Sequence, residues 1–427
     1  MSDTARPFGF WTATALVVGG MIGSAIFVLP AALAPFGWTG VLAWVVGIGG
    51  ALCVAYALGR LAATMPHSTG AIAVTGAVLG DLPAVLIGWS YWISCWAACA
   101  ALSIAATGYL AVFWPALAAT PARGAAAALV ILWLLTLLNL RGARAAGRFQ
   151  IVTTLLKLLP LLVVVGIVAL AAGAGEVTPP PLPAAADVFA GLTPAVTLTL
   201  FALVGFEATG VAAERIRDPG RTVLRATMAG TALTGVLYLV VATGIGFMLP
   251  PERLAGSVTP FALFVETFWG RGPALLVALF AAVAAIGALG CWVLLQSEVP
   301  LGMARAGLLP RWFGIVSARD VPVRVTLLSS VLASVLILAA GSDSLAGLYV
   351  FVGKLVTSTT LYLYLAICVA ALIRRVAVIP AALGVPFTLW AMWGAGIEAS
   401  GLGLLLTLTA LPLYWMRGQG AIAPQPR

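Results

Sequence analysis

Gly19-Gly20-Met21-Ile22-Gly23-Ser24-Ala25-Ile26-Phe27 stands in the middle of an apolar run, residues 11–34, near the start of the chain. About 20 helical residues cross the roughly 30 Å of bilayer hydrocarbon, so a run of this length reads as a membrane-spanning segment. The three glycines at its midpoint are the unusual part. Glycine lets backbone unwind, and unwound backbone in a bilayer is tolerated only where it lines a buried or watered cavity. The competing reading is close helix packing through small residues. A second interruption, Val204-Gly205-Phe206-Glu207-Ala208-Thr209-Gly210, falls inside the run 189–213. The two runs hold the same place in two five-segment halves, first span against sixth, which favours two interruptions facing one central site.

The rest of the chain fits a membrane protein. Of its 427 residues 62% are hydrophobic and 8% charged, with a mean hydropathy of +1.12. Soluble domains carry about 25% charged residues, so that class is excluded. Twelve spans are predicted: 11–34, 40–63, 83–114, 124–140, 149–173, 189–213, 223–249, 272–302, 325–340, 345–372, 377–396 and 399–416. The third and eighth are long enough to tilt or to extend past the hydrocarbon. Residues 66–80, with His67-Ser68-Thr69-Gly70, are too polar for a span and suit a re-entrant or interfacial stretch.

Basic residues test the count. With the N-terminus in the cytoplasm, seventeen arginines fall inside and only Arg123, Arg253 and Arg271 outside. That bias orients membrane helices and places both termini in the cytoplasm. The net charge of +9 forms no patch, so nucleic acid is not an expected partner. Cys53, Cys95, Cys99, Cys291 and Cys368 all lie in apolar runs without CxxC spacing, so neither a disulfide framework nor a metal site is expected. The first run lacks an A-x-A-like cleavage site and reads as a retained helix. His67 is the single histidine and lies outside the spans, and no P-loop is present, so no catalytic residues and no cofactor are expected.

Several stretches carry a resemblance. Gly23-Ser24-Ala25-Ile26-Phe27-x-Leu29-Pro30 is similar to the first-helix signature of the amino acid–polyamine–organocation superfamily. Phe201-x-x-x-Gly205-Phe206-Glu207 is similar to its sixth-helix pattern, and Arg217-Asp218-Pro219-x-Arg221 to the charged turn that follows. Gly287-x-x-Gly290-Cys291-Trp292 resembles its eighth helix, and Ala304-Arg305-Ala306-Gly307-Leu308-Leu309-Pro310 its cytoplasmic loop. In this order they resemble the basic amino acid/polyamine antiporter branch most. The resemblance implies an all-α membrane protein of about twelve transmembrane helices, with an inverted 5+5 helix repeat of the leucine-transporter type and broken first and sixth helices. Residues 1–427 then form one transporter domain: 11–173 the first repeat, 189–372 the second, and 377–416 two additional helices.

Candidate site residues follow. Gly23, Ser24 and Ala25 would offer free N–H groups to a carboxylate at a half-helix N-terminus; Ala25 replaces the glycine of the resembled family. Carbonyls of Phe201, Ala202 and Val204 would face an ammonium group. Glu207 is an acid deep in a span, a functional candidate by default, and the resemblance makes it part of an outer gate or coupling network. Lys157 and Lys354 are the two lysines, each about nine residues into a span and in equivalent segments. Snorkelling is the plain reading of both, but Lys157 resembles a lysine of proton-coupled carriers that could bind and release a proton. Trp292 resembles a tryptophan that stacks on a substrate cation or aliphatic chain, and Phe201 stands at a gate position. Tyr91, Trp92 and Trp96, with Tyr362 and Tyr364, could close the outside. Cys99 stands where the branch has a polar asparagine, which weakens an expectation of guanidinium or amine specificity.

The reading is a secondary active transporter of amino acids in the cell (inner) membrane, an amino acid/amine exchanger working by alternating access. Its alternatives are a proton-coupled amino acid symporter using Lys157 and a non-transporting receptor. Expected partners are the small-molecule substrate, the lipid bilayer, protons on the symport alternative, and a second copy in a homodimer.

Overall fold

In hydrocarbon every backbone polar group must be satisfied within the protein, and helices do this segment by segment. All regular elements among the described residues are helices. The computed structural model describes residues 9–65, 70–141, 156–175, 177, 179–208, 219–257, 259–318, 321–339 and 345–417. The first half holds α1 (Phe10–Met21), α2 (Ala25–Leu33), α3 (Gly37–Thr64), α4 (Ala71–Leu79), α5 (Asp81–Ala111), α6 (Pro121–Leu140) and α7 (Leu158–Gly173). There follow α8 (Ala185–Leu203), α9 (Pro219–Met248), α10 (Pro251–Leu254), α11 (Pro260–Trp269), α12 (Arg271–Arg305) and α13 (Val323–Ala339). The last are α14 (Leu345–Ile373), α15 (Val378–Gly394), α16 (Ile397–Leu408) and α17 (Ala410–Met416).

Eight stretches among the described residues are long and apolar enough to cross a membrane, and α7, α13 and α15 are shorter apolar helices. Each of the twelve expected segments meets helix, although 149–155, 209–213 and 340 lie outside the described residues. The expected length of the third and eighth segments is met by α5 with 31 residues and α12 with 35. At 1.5 Å per residue they run about 45 and 50 Å, well beyond the hydrocarbon thickness. The polar stretch 66–80 contains α4, whose nine residues are too few to cross; His67 and its neighbours lie outside the described residues.

Helix α5 is the centre of the molecule. Its apolar window is 94% buried, packed chiefly against α12 and α14 and also against α6, α13, α16 and α4. On its α12–α13 side a polar seam replaces grease. The Trp92 indole N–H donates to the Gln296 carbonyl (2.8 Å) and to Ser329 Oγ (2.9 Å), and Gln296 Nε2 donates to Ser330 Oγ (3.1 Å). Ser297 and Thr326 hydroxyls meet at 2.8 Å, as do Thr136 and Ser330. Such hydrogen bonds hold helices together where lipid offers no hydrophobic drive. Trp92, expected among the aromatics that close the outside, thus ties α5 to α12 and α13. At one end, an Asp81–Arg417 ion pair (3.0 Å) and Trp89 Nε1 donating to Thr409 Oγ1 (3.0 Å) tie the chain's last helices to α5.

Candidate functional site

The first glycine run ends one helix and begins another. Helix α1 stops at Met21, Ile22 turns away at ψ 88°, and α2 starts at Ala25. The last carbonyls of α1 and the first N–H groups of α2 thus lose their partners one turn along. At the carbonyl end Lys157 Nζ donates to the Gly19 carbonyl at 2.7 Å, and the Met21 carbonyl accepts from the Tyr238 hydroxyl at 2.9 Å and from the Gly23 N–H at 2.8 Å, so that N–H, expected to be free for a carboxylate, is engaged. An ammonium there also meets the negative end of the α1 dipole. At the α2 end, the Ser24 and Tyr349 hydroxyls lie 3.0 Å apart, and Ala25 and Ile26 open the new helix. Gly23 is not forced by packing. A methyl added there would meet nothing closer than Leu102 Cδ2 at 3.8 Å and Ala288 Cβ at 3.9 Å.

The second run ends α8. Val204 follows Leu203 in extended backbone, and Gly205 sits at φ +121°, a region closed to residues with a Cβ. Here packing does demand glycine: a Cβ would lie 2.8 Å from the Gly20 carbonyl oxygen, so the two interruptions abut. The Gly205 N–H donates to Glu207 Oε2 at 3.0 Å instead of back along the helix to Phe201. Glu207, 3% exposed, also accepts from the Tyr364 hydroxyl on Oε2 (2.9 Å) and the Tyr91 hydroxyl on Oε1 (3.1 Å). Phe206 stacks on Tyr364 with ring centres 4.9 Å apart. The carboxylate therefore accepts three hydrogen bonds from its neighbours.

Between the two interruptions lies a small cavity. Gly23, Ser24 and Ala25 line it from one side and Phe201 and Val204 from the other; Ala98, Leu102, Val356 and Trp292 close the rest. A second cavity adjoins it, lined by Lys157, Tyr91, Gly205, Cys291 and Leu295. Trp292 and Gly20 border both.

Backbone ends gathered on one buried cavity, in a bundle of apolar helices, are the build of a solute carrier, and the comparisons agree. The family model described as "Amino acid permease" matches residues 8–421. The chain belongs to the amino acid permease family. A cadaverine/lysine antiporter of Escherichia coli (strain K12) is 31% identical over 340 residues, 77% of this chain and 74% of the relative. A putative arginine/ornithine antiporter of Bacillus subtilis (strain 168) is 28% identical over 374 residues, 81% of this chain and 79% of the relative. An uncharacterized transporter of Mycobacterium bovis is 32% identical over 349 residues, 80% and 75%. The family lies in the superfamily that the sequence motifs resemble, the relatives match its basic amino acid antiporter branch, and both are transporters, not enzymes.

In this permease six of the expected residues meet around the first cavity: Gly23, Ser24, Ala25, Phe201, Val204 and Trp292. Lys157 and Tyr91 border the second, with Glu207 behind them bonded to Tyr91. Others differ. Cys99 and Ala202 are buried and line neither cavity, and Ala98 and Leu102 present the face of α5 expected of Cys99. Tyr362 is only half-buried, and Tyr364, two residues on and so on another side of α14, reaches Glu207 instead. Lys354 borders neither cavity.

Tyr91 and Tyr364, expected to close the outside, sit together on Glu207, expected in an outer gate or coupling network. Tyr91 lies about two helical turns, roughly 10 Å, nearer than Ala98 to the Asp81 end of α5, the end paired with Arg417 near the chain's C-terminus. The Tyr91–Glu207–Tyr364 cluster is thus on the side of the cavity that faces Arg417. Sequence reasoning missed Tyr349 and Tyr238, whose hydroxyls serve Ser24 and the Met21 carbonyl. The signal available was a tyrosine inside an apolar span, whose hydroxyl usually finds a partner when buried.

Proposed function

We propose that this permease is a secondary exchanger of amino acids that works by alternating access in the cell membrane. The observation that carries the reading is the pairing of unsatisfied backbone ends on one cavity. N–H groups at the start of α2 suit the α-carboxylate, and carbonyls at the end of α8, including that of Phe201, suit the α-ammonium. The printed names of the two antiporters support exchange over one-way uptake. Twelve spans in an inverted 5+5 repeat, with both termini cytoplasmic, complete the proposal. On that orientation the Tyr91–Glu207–Tyr364 cluster closes the inner side of the site, and Phe201 with Tyr349, ring centres 5.8 Å apart, closes the outer side.

Radiolabelled amino acid uptake into proteoliposomes tests this reading. Accumulation that requires amino acid inside the vesicle is the expected result. Accumulation driven by a pH gradient with empty vesicles selects the second reading, proton-coupled symport, which the placement of Lys157 against Gly19 favours.

Two variants probe the cavity. Gly23→Leu is expected to abolish substrate binding in calorimetry while leaving thermal unfolding near that of the parent, since the surroundings admit a Cβ but a branched chain fills the space beside the free N–H groups. A folded Gly23→Leu protein that transports at the parental rate would remove the first interruption from the site. Trp292→Ala is expected to weaken binding roughly tenfold, on the scale of a lost stacking contact of about 1–2 kcal/mol. Unchanged affinity would take the ring out of contact with the substrate.

A further inference from the structure

We infer that the substrate carries an uncharged, apolar side chain: the site takes neutral aliphatic α-amino acids and rejects lysine, arginine and diamines. This rests on the proposed exchange function and concerns the part of the substrate that the backbone ends do not hold. Beyond Gly23, Ser24 and Ala25, the first cavity is walled by Ala98, Leu102, Val356, Phe201 and Trp292. Among the described residues Ser24 is the one hydroxyl in the lining, and no carboxylate or amide is there. Its hydroxyl is already paired with Tyr349.

A cationic side chain has two places to go, and both are unfavourable. Left among those residues, its charge is buried without a partner, which costs several kcal/mol. The Trp292 face returns at most about 2 kcal/mol by cation–π attraction, so it does not offset that cost. Passing Trp292 into the second cavity brings the side chain against Lys157, a like charge in a largely apolar surrounding. Glu207 lines neither cavity, and the Tyr91 and Tyr364 hydroxyls and the Gly205 N–H already take three of its acceptor sites. A diamine also lacks the carboxylate that the α2 N–H groups would hold. An aliphatic chain meets none of these costs and gains burial of about 25 cal/mol per Å².

Counterflow in proteoliposomes holding the full-length chain decides the matter. Radiolabelled leucine, alanine, lysine, arginine and cadaverine are each offered to vesicles preloaded with the same unlabelled compound. Leucine or alanine is expected to enter at least tenfold faster than any of the three cations. Cations that equal or outrank the neutral compounds overturn the inference while the exchanger reading stands. No counterflow with any of the five overturns that reading and the inference with it. Val356→Asp, which sets a carboxylate in the wall at little change of volume, is expected to raise the lysine-to-leucine ratio at least tenfold. An unchanged ratio in a variant that still moves leucine places the substrate side chain elsewhere and overturns the assignment. The wild-type ranking decides the question even where the variant does not insert.

Discussion

Gly205→Ala is expected to destroy the site, with no transport and a loss of about 3 kcal/mol or more in stability. Two costs act together. At φ +121° any residue with a Cβ is strained by about 1–3 kcal/mol. The new Cβ would also stand 2.8 Å from the Gly20 carbonyl oxygen and 3.0 Å from its carbon, and these are backbone atoms that cannot swing aside. Relief requires the two interruptions to separate, which pulls Gly205 away from Glu207 and moves one wall of the cavity. Gly166→Ala is the matched control: Gly166 lies within α7 and a Cβ there meets nothing within 4 Å, so it is expected to be neutral or slightly stabilising. Thermal unfolding in detergent and counterflow on both variants test the pair. A Gly205→Ala protein as stable and active as the parent would mean that the interruptions do not meet as described.

The contrast between Gly205 and Gly23 shows what a glycine in a membrane helix can mean. Gly205 is required by the shape of its own backbone and by the close approach of Gly20. Gly23 has helical neighbours far enough away for a side chain, so its bareness serves whatever occupies the space beside it. In sequence the two runs look alike, and only their surroundings separate the packing role from the open one.

The helices were legible because lipid leaves so few options: long apolar runs must be helices, and the runs are visible residue by residue. Both interruptions were legible for a related reason. Glycine clusters at 19–23 and 205–210 are where a helix is cheapest to stop, and the chain leaves α-helix after Met21 and after Leu203. What could not be read was rotation. Helix α5 is covered nearly all round, so it has no polar face to announce which side meets the cavity. Cys99 drew attention by its position, yet Ala98 and Leu102 hold the wall. Tyr362 and Tyr364 are two residues apart, about 200° around α14, and the choice between them is made by Glu207 on a distant segment. Which tyrosine hydroxyl meets which carbonyl is a property of the assembled bundle.

Lys157→Met is expected to reduce both substrate exchange and net uptake at least tenfold. The reason lies in what the ammonium holds. Lys157 is 1% exposed, so it does not reach for the interface, and its 2.7 Å bond falls on the Gly19 carbonyl at the end of α1. Removing it leaves that buried carbonyl without its donor and removes the positive charge at the negative end of the α1 dipole. A hydrogen bond from a charged group is worth about 1.5–3 kcal/mol, enough to shift the end of α1 that borders the cavity. Because α1 leads straight into the Ile22–Ser24 turn, the effect falls on the substrate site and not only on ion coupling. Lys157→Arg keeps the charge and is expected to retain a measurable part of the exchange. The rival outcome is specific: if Lys157→Met exchanges normally but loses its response to a proton gradient, the lysine is a coupling group and the support given to Gly19 is incidental. Normal exchange together with an unaltered gradient response would deny both roles. Measuring the two assays on one preparation of each variant separates support of the broken backbone from the carrying of a proton.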